Sequence, residues 1–128
     1  MTTVLLVDDD KLVQRSLEKT LLRAGFEVIT VADCRSGSES FRQNAGAVHI
    51  AVLDLNMPGF DGVPKSGAGL DLLEDLKKQQ PDLPVVILTA YDEVNKAKEA
   101  ATRGSSAFFV KGREQGLVEL IQKILKAK

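Results

Sequence analysis

The sequence predicts an α/β fold built on a doubly wound parallel sheet, and three observations predict it. Short runs of Val, Ile, Leu and Phe alternate along the chain with stretches of helical period, the pattern of successive strand–helix–strand units. The strand-length runs show little polar alternation, as strands covered on both faces do. Four of the five runs end in a charged or hydroxyl side chain. Such a group is costly where a buried strand runs out, unless those ends share a polar site.

Taken in order, Thr3-Val4-Leu5-Leu6-Val7 forms a strand over 3–8 that leads into Asp8-Asp9-Asp10. Leu12, Val13, Leu17, Leu21 and Leu22 then recur at the spacing of a helix. Asp10 suits its N-cap, and Gly25 suits a left-handed stop. A second strand is expected over 27–31 and a more polar helix from about 35 to 45. The third strand, 48–54, ends in Asp54 and runs on into Leu55-Asn56-Met57-Pro58-Gly59. The stretch GFDGVPKSGAG, residues 59–69, holds four glycines and a proline and is expected to be a loop. It is long for a strand-to-helix connection, and it leaves from the carboxyl edge of the sheet, where open α/β sheets place ligands. Leu70, Leu72, Leu73 and Leu76 make a third helix, ended by Pro81. The fourth strand, 84–88, leads into Thr89-Ala90. A weak fourth helix follows, carried by Val94, Ala97, Ala100 and Ala101 and stopped at Gly104. The fifth strand, 106–110, ends in Lys111, and Leu117, Val118, Leu120, Ile121, Ile124 and Leu125 mark a strong last helix.

The 128 residues suit one domain, 1–128, with 44% apolar and 27% charged residues. A formal charge of −1 gives no electrostatic drive toward nucleic acid or an anionic membrane. Cys34 is the only cysteine, so no internal disulfide forms. The N-terminus lacks the basic region of a signal peptide and the length of a membrane span, so the chain reads as cytoplasmic.

If the first and third strands are neighbours, Asp8, Asp9 and Asp54 share one crevice. Carboxylates that close raise one another's pKa unless a cation joins them, and a few hard oxygen ligands suit Mg²⁺. A carboxylate at the end of a central strand is also a nucleophile toward phosphorus. Phosphoryl transfer asks for positioning and charge neutralisation above all, which Thr89 and Lys111 supply from the fourth and fifth strand ends. Each motif alone has a plainer reading. An Asp run caps helices, a Thr belongs in a strand, a Lys at a strand end is solvated, and Phe108 is core.

Together the motifs resemble the receiver domain of response regulators in two-component signalling, over essentially the whole chain. The residues that carry the resemblance are Val7-Asp8-Asp9-Asp10, Leu53-Asp54 through Asn56-Met57-Pro58-Gly59 to Gly62, Leu88-Thr89-Ala90 and Phe109-Val110-Lys111, in the family's order and spacing. The resemblance implies a flavodoxin-like strand order 2-1-3-4-5 with five helices. It implies that Asp54 is the phosphoacceptor, charged by a sensor histidine kinase or a phosphotransfer protein. It implies Mg²⁺ on Asp9, Asp54 and the backbone carbonyl of Asn56, with Asp8 acting through water. Thr89 and Lys111 would hold the phosphoryl group, and Phe108 would move inward with Thr89. Asn56 and Tyr91 stand where the lifetime of that group is tuned, although Tyr91 reads equally as an exposed helix-start residue. The implied output surface is the fourth helix, fifth strand and fifth helix, and homodimerisation through those helices is open. Such a protein is a switch rather than an enzyme, acting only on its own Asp54.

The chain departs from the family pattern in three places. Gly112 stands where proline usually follows the lysine. A cis bond there would cost about 2.5–4 kcal/mol, so a trans or mixed bond and a looser loop are expected. Residues 59–69 look like an insertion of several residues, and His49 stands where an acidic residue is common. The alternative function is a receiver-like module that docks partners without phosphorylation. An aspartate-nucleophile phosphatase is disfavoured, because Asn56 occupies the position of its general acid. A phosphate cradle after the first strand would want glycines where this chain has aspartates.

Overall fold

The computed structural model describes residues 1–127; Lys128, whose charge the sequence assigns to a solvated helix face, lies outside the described residues. In chain order the elements are β1 (Thr3–Val7), α1 (Lys11–Arg23), β2 (Glu27–Val31), α2 (Cys34–Gln43), β3 (Ile50–Asp54), β4 (Met57–Pro58), β5 (Pro64–Lys65), α3 (Ala68–Gln79), β6 (Val85–Thr89), α4 (Val94–Glu99), β7 (Ala107–Val110) and α5 (Glu114–Lys126). Short 3₁₀ turns, Tyr91–Glu93 and Ala100–Arg103, flank α4. Five strands pair in parallel in the order β2-β1-β3-β6-β7, the strand order the sequence predicts.

The central strands β1, β3 and β6 are buried along their whole length, as their unbroken apolar character requires. The period-two alternation of a strand divides them between two cores. Leu5, Val7, Ala51, Leu53, Val85 and Ile87 pack with Phe41 of α2, with the leucines of α3 and with Ala97 of α4. Val4, Leu6, Ile50, Val52, Val86 and Leu88 pack with Leu17 and Leu21 of α1 and with Leu117, Val118 and Ile121 of α5. The edge strands β2 and β7 are only half-buried.

The helix signals hold. Asp10 caps α1, accepting from the N–H groups of Leu12 and Val13 at 3.0 and 3.2 Å. Gly25 and Gly104 both take positive φ where their helices stop. α3 ends at Gln79, ahead of Pro81. Two apolar positions of α1 are not core: Leu12 is 78% and Leu22 is 51% exposed, because the buried stripe of that helix narrows to Leu17 and Leu21 with Val13 beside them. α4 is shorter than the expected weak helix, with six α-helical residues of which only Ala97 is buried, and the chain tightens to 3₁₀ at Ala100.

The segment 59–69 is not a plain loop. Met57–Pro58 and Pro64–Lys65 pair antiparallel as a small hairpin. The Gly59 N–H donates to the Val63 carbonyl at 2.9 Å, and the Asp61 carboxylate turns back to the Val63 N–H at 3.0 Å. Phe60 and Val63 stand exposed at its tip. Two residues per strand give too short a run for periodicity to reveal it.

Leu53→Ala, at a position with no solvent exposure, is expected to cost about 2–5 kcal/mol in urea unfolding. Leu22→Ala, on the exposed flank of α1, should cost about 0.5 kcal/mol or less.

Candidate functional site

Register and pleat place the site. β1 and β3 pair through Val7 and Leu53, so one further step sets Asp8 beside Asp54. Asp8 follows the face of Val4 and Leu6, Asp54 that of Ile50 and Val52, and Lys111 that of Phe109. All three therefore leave the sheet on the side of α1 and α5. The convergence is close. Lys111 Nζ lies 3.1 Å from Asp54 Oδ1 and 3.2 Å from Asp8 Oδ2. The Asp8 and Asp54 side chains are 0% and 9% exposed and the lysine 27%, while Asp9 is exposed at the rim.

The surroundings fix each group. The Asp10 N–H donates to Asp8 Oδ1 at 2.9 Å. The Gln14 side chain donates to the carbonyls of Asp8 and Val31, at 3.0 and 2.9 Å, and ties the ends of β1 and β2 together. The Lys111 N–H donates to the Thr89 carbonyl at 2.9 Å. The Lys111–Gly112 peptide is trans, and Gly112 has a φ of +125°, which a proline ring fixed near −65° cannot adopt. The looser loop expected behind Lys111 therefore leaves its aim intact, because the two ion pairs and the main-chain bond to β6 hold it.

Two carboxylates against one ammonium leave the crevice short of positive charge. Burial, and then the neighbouring Asp8 charge, push the Asp54 carboxyl up to about 7 against the pull of Lys111. Burial would lower the Lys111 ammonium, but Asp54 and Asp8 outweigh it and raise it. Asp8 Oδ2 is buried, and the Lys111 ammonium at 3.2 Å meets it as an ion pair without hydrogen-bond geometry. One oxygen each from Asp8, Asp9 and Asp54 lies within 4.8 Å of the others. A buried oxygen balanced only by a lysine shared with Asp54, within such a hard-oxygen set, fits a small divalent cation such as Mg²⁺.

The fold gives each of the other residues singled out by the sequence its own surroundings. Thr89 is buried at the end of β6, and its hydroxyl donates to the Ala90 carbonyl at 3.0 Å. Phe108 is half-buried against the α2–α4 core rather than enclosed, because β7 is an edge strand. Tyr91 is 85% exposed and opens the 3₁₀ turn after Thr89. The Asn56 side chain is engaged at both ends: Oδ1 accepts from the Gly67 N–H at 2.8 Å, and Nδ2 donates to Glu93 Oε1 at 2.9 Å. His49 is structural. Its Nδ1 accepts from the Thr3 N–H at 3.0 Å, at the opposite end of the sheet. Cys34 is buried, its thiol donates to the Ala68 carbonyl at 3.2 Å, and burial pushes its pKa up to about 12, so it is inert.

Sequence reasoning missed Gly69, which lets α3 approach the site. Its N–H donates to the Leu55 carbonyl at 2.9 Å, and a Cβ there would stand 2.2 Å from the Asp54 carbonyl oxygen. The available signal was a glycine directly before Leu70-Asp71-Leu72-Leu73, which reads as loop until the packing is known. Gln14, Glu93 and Lys96 left no signal beyond ordinary polar helix and turn positions.

An open parallel sheet with buried aspartates and a lysine at its carboxyl edge defines a receiver-type α/β protein. The chain belongs to the response regulator receiver domain family, whose model matches residues 4–124, and is a receiver domain of a two-component response regulator. It is 34% identical over 119 residues to the response regulator protein FleR of Pseudomonas aeruginosa, covering 92% of this chain and 23% of FleR. It is 36% identical over 109 residues to the transcriptional regulatory protein PrrA of Mycobacterium tuberculosis, covering 84% of this chain and 42% of PrrA. The chain thus spans less than half of these relatives. Its fold is similar to a receiver domain protein from Clostridium thermocellum, with TM-score 0.87, 25% identity and coverage of 99% and 96% of the two chains. It is also similar to the receiver domain of NtrX from Brucella abortus, with TM-score 0.84, 27% identity and coverage of 98% and 99%. Among the described residues no helix is long and apolar enough to cross a membrane.

Gly69→Ala should displace the Asp54–Asn56 backbone, seen as amide shifts at 54–56, and cost about 1–3 kcal/mol in unfolding. The Asp54 carboxyl sets a second expectation for metal-free protein. Its folded pKa of about 7 lies above its ordinary value of 3.8. The stability it contributes is therefore complete below pH ~4 and is lost as pH rises through ~7. Asp54→Asn removes that loss. In EDTA the variant should match wild type near pH 4 and exceed it by about 2–4 kcal/mol at pH 8, measured by urea unfolding.

Proposed function

We propose that this receiver domain takes a phosphoryl group onto Asp54 from a sensor histidine kinase or phosphotransfer protein, and that the modification switches its conformation to control an output. The observation that supports the reading most is the convergence of Asp8, Asp54 and Lys111, with Asp9 at the rim, at one sheet edge. An Asp54 carboxylate oxygen attacks phosphorus. The P–N bond of the donor phosphohistidine breaks, its electron pair stays on the imidazole nitrogen, and that nitrogen takes up a proton. Water later cleaves the acyl phosphate and regenerates the carboxylate.

Asp9, Asp54 and the Asn56 carbonyl would hold Mg²⁺, with Asp8 acting through water. Bound there, the ion supplies the positive charge that lets an anionic group approach aspartates. Lys111 moves part of its pairing from Asp54 to the phosphoryl oxygens, and the Thr89 hydroxyl leaves the Ala90 carbonyl to donate to the same group. Phe108, half-buried on the edge strand, follows Thr89 inward. Asn56 and Tyr91 tune the lifetime of the acyl phosphate. A phosphoryl group adds about −1.5 to −2 charges, and closure around that charge is the differential interaction that shifts the equilibrium between conformers. The changed face is α4–β7–α5, which meets an output domain or partner, or a second copy of the chain, in the cytoplasm. The domain extends over 1–128.

Intact-mass spectrometry after incubation with Mg²⁺ and acetyl phosphate tests this directly. One phosphoryl adduct is expected, and it should disappear with Asp54→Asn or with EDTA. Lys111→Ala should lower adduct formation by about ten-fold or more, since it removes the cation facing the acceptor. A folded wild-type chain that takes no adduct and does not bind beryllofluoride would instead be a docking module that works without phosphorylation.

A further inference from the structure

We infer that the inserted segment between β3 and α3 is latched to the first turn of α4, with Glu93 and Lys96 as the positioning residues that set how readily the Thr89 loop moves; this rests on the switch reading above. The inserted segment is tied to the Tyr91–Glu93 turn and to α4 at two points. The Asn56 amide joins the Gly67 N–H to the Glu93 carboxylate, at 2.8 and 2.9 Å. Lys96 Nζ bonds the Ser66 hydroxyl. One side of this latch begins two residues after Asp54. The other begins four residues after Thr89.

What α4 lacks makes the latch count. Six residues with one buried alanine hold little apolar area, so polar ties are a large share of what positions the turn. Glu93 is the last residue of the 3₁₀ turn that opens at Tyr91, and its N–H donates to the Ala90 carbonyl at 3.1 Å. That carbonyl also holds the Thr89 hydroxyl, at 3.0 Å. For the hydroxyl to turn toward a group on Asp54 it must give up this carbonyl, and the latch holds the turn in the arrangement that presents it. The insertion thus raises the cost of switching, and loosening it favours the charged conformer. A plain surface contact would have no such consequence.

The test compares wild type with the double variant Glu93→Ala/Lys96→Ala, and with Lys96→Arg, which keeps a donor for Ser66. In metal-free protein, amide hydrogen exchange over residues 90–99 should speed up in the double variant and stay near wild type in Lys96→Arg. Titration with beryllofluoride in Mg²⁺ should show about two- to tenfold tighter binding by the double variant, from the loss of two partly exposed polar ties. Unchanged exchange over 90–99 overturns the latch, whatever beryllofluoride does. Faster exchange with unchanged or weaker beryllofluoride binding overturns its influence on switching. Failure of wild type to bind beryllofluoride instead overturns the switch reading, while the exchange measurement still decides whether the latch exists.

Discussion

Two buried carboxylates, Asp8 and Asp54, face a single ammonium, and the rest of the architecture keeps them there. An isolated buried charge is costly enough that a chain ordinarily protonates it or pairs it. Here the pairing is incomplete: one lysine, Lys111, serves both aspartates, and Asp54 is driven toward its neutral form. Only a parallel arrangement brings these ends together at one edge. Crossover helices on both faces then wall the crevice and leave its mouth as the open side.

The structure is firm on one side of that crevice and soft on the other. β1, β3 and α3 are buried and anchored, and Gly69 lets the first turn of α3 press directly on the Asp54 backbone. β7 and α4 are half-buried and short. Under the proposed reading, the acceptor would sit on the firm side and Lys111 on the soft one, so a local change of charge would become a change of surface.

The strands and their ends were legible in the sequence because both rest on residue type at fixed positions, and their order followed from the family resemblance. Unbroken apolar runs marked buried parallel strands. Asp8, Asp54, Thr89 and Lys111 stood where those runs stopped. What was not legible depended on packing. The two-residue strands of the hairpin have no period. Leu12 and Leu22 matched the helical spacing but fell outside the buried stripe. Phe108 is less enclosed than an aromatic in an apolar strand suggests, since β7 has a neighbour on one side only. Asn56 and Glu93 are ordinary polar residues until the fold sets them 2.9 Å apart. Gly112 suggested a looser grip on Lys111, yet the ion pairs and the bond to the Thr89 carbonyl hold it.

The exposed ring of Tyr91 has a practical consequence. The chain has one tyrosine and no tryptophan, so its near-ultraviolet emission comes almost wholly from the turn that follows Thr89. The protein carries a built-in optical probe at the mouth of its own crevice. Rearrangement of that turn can be followed in unmodified protein, with no label placed on the surface that partners would touch.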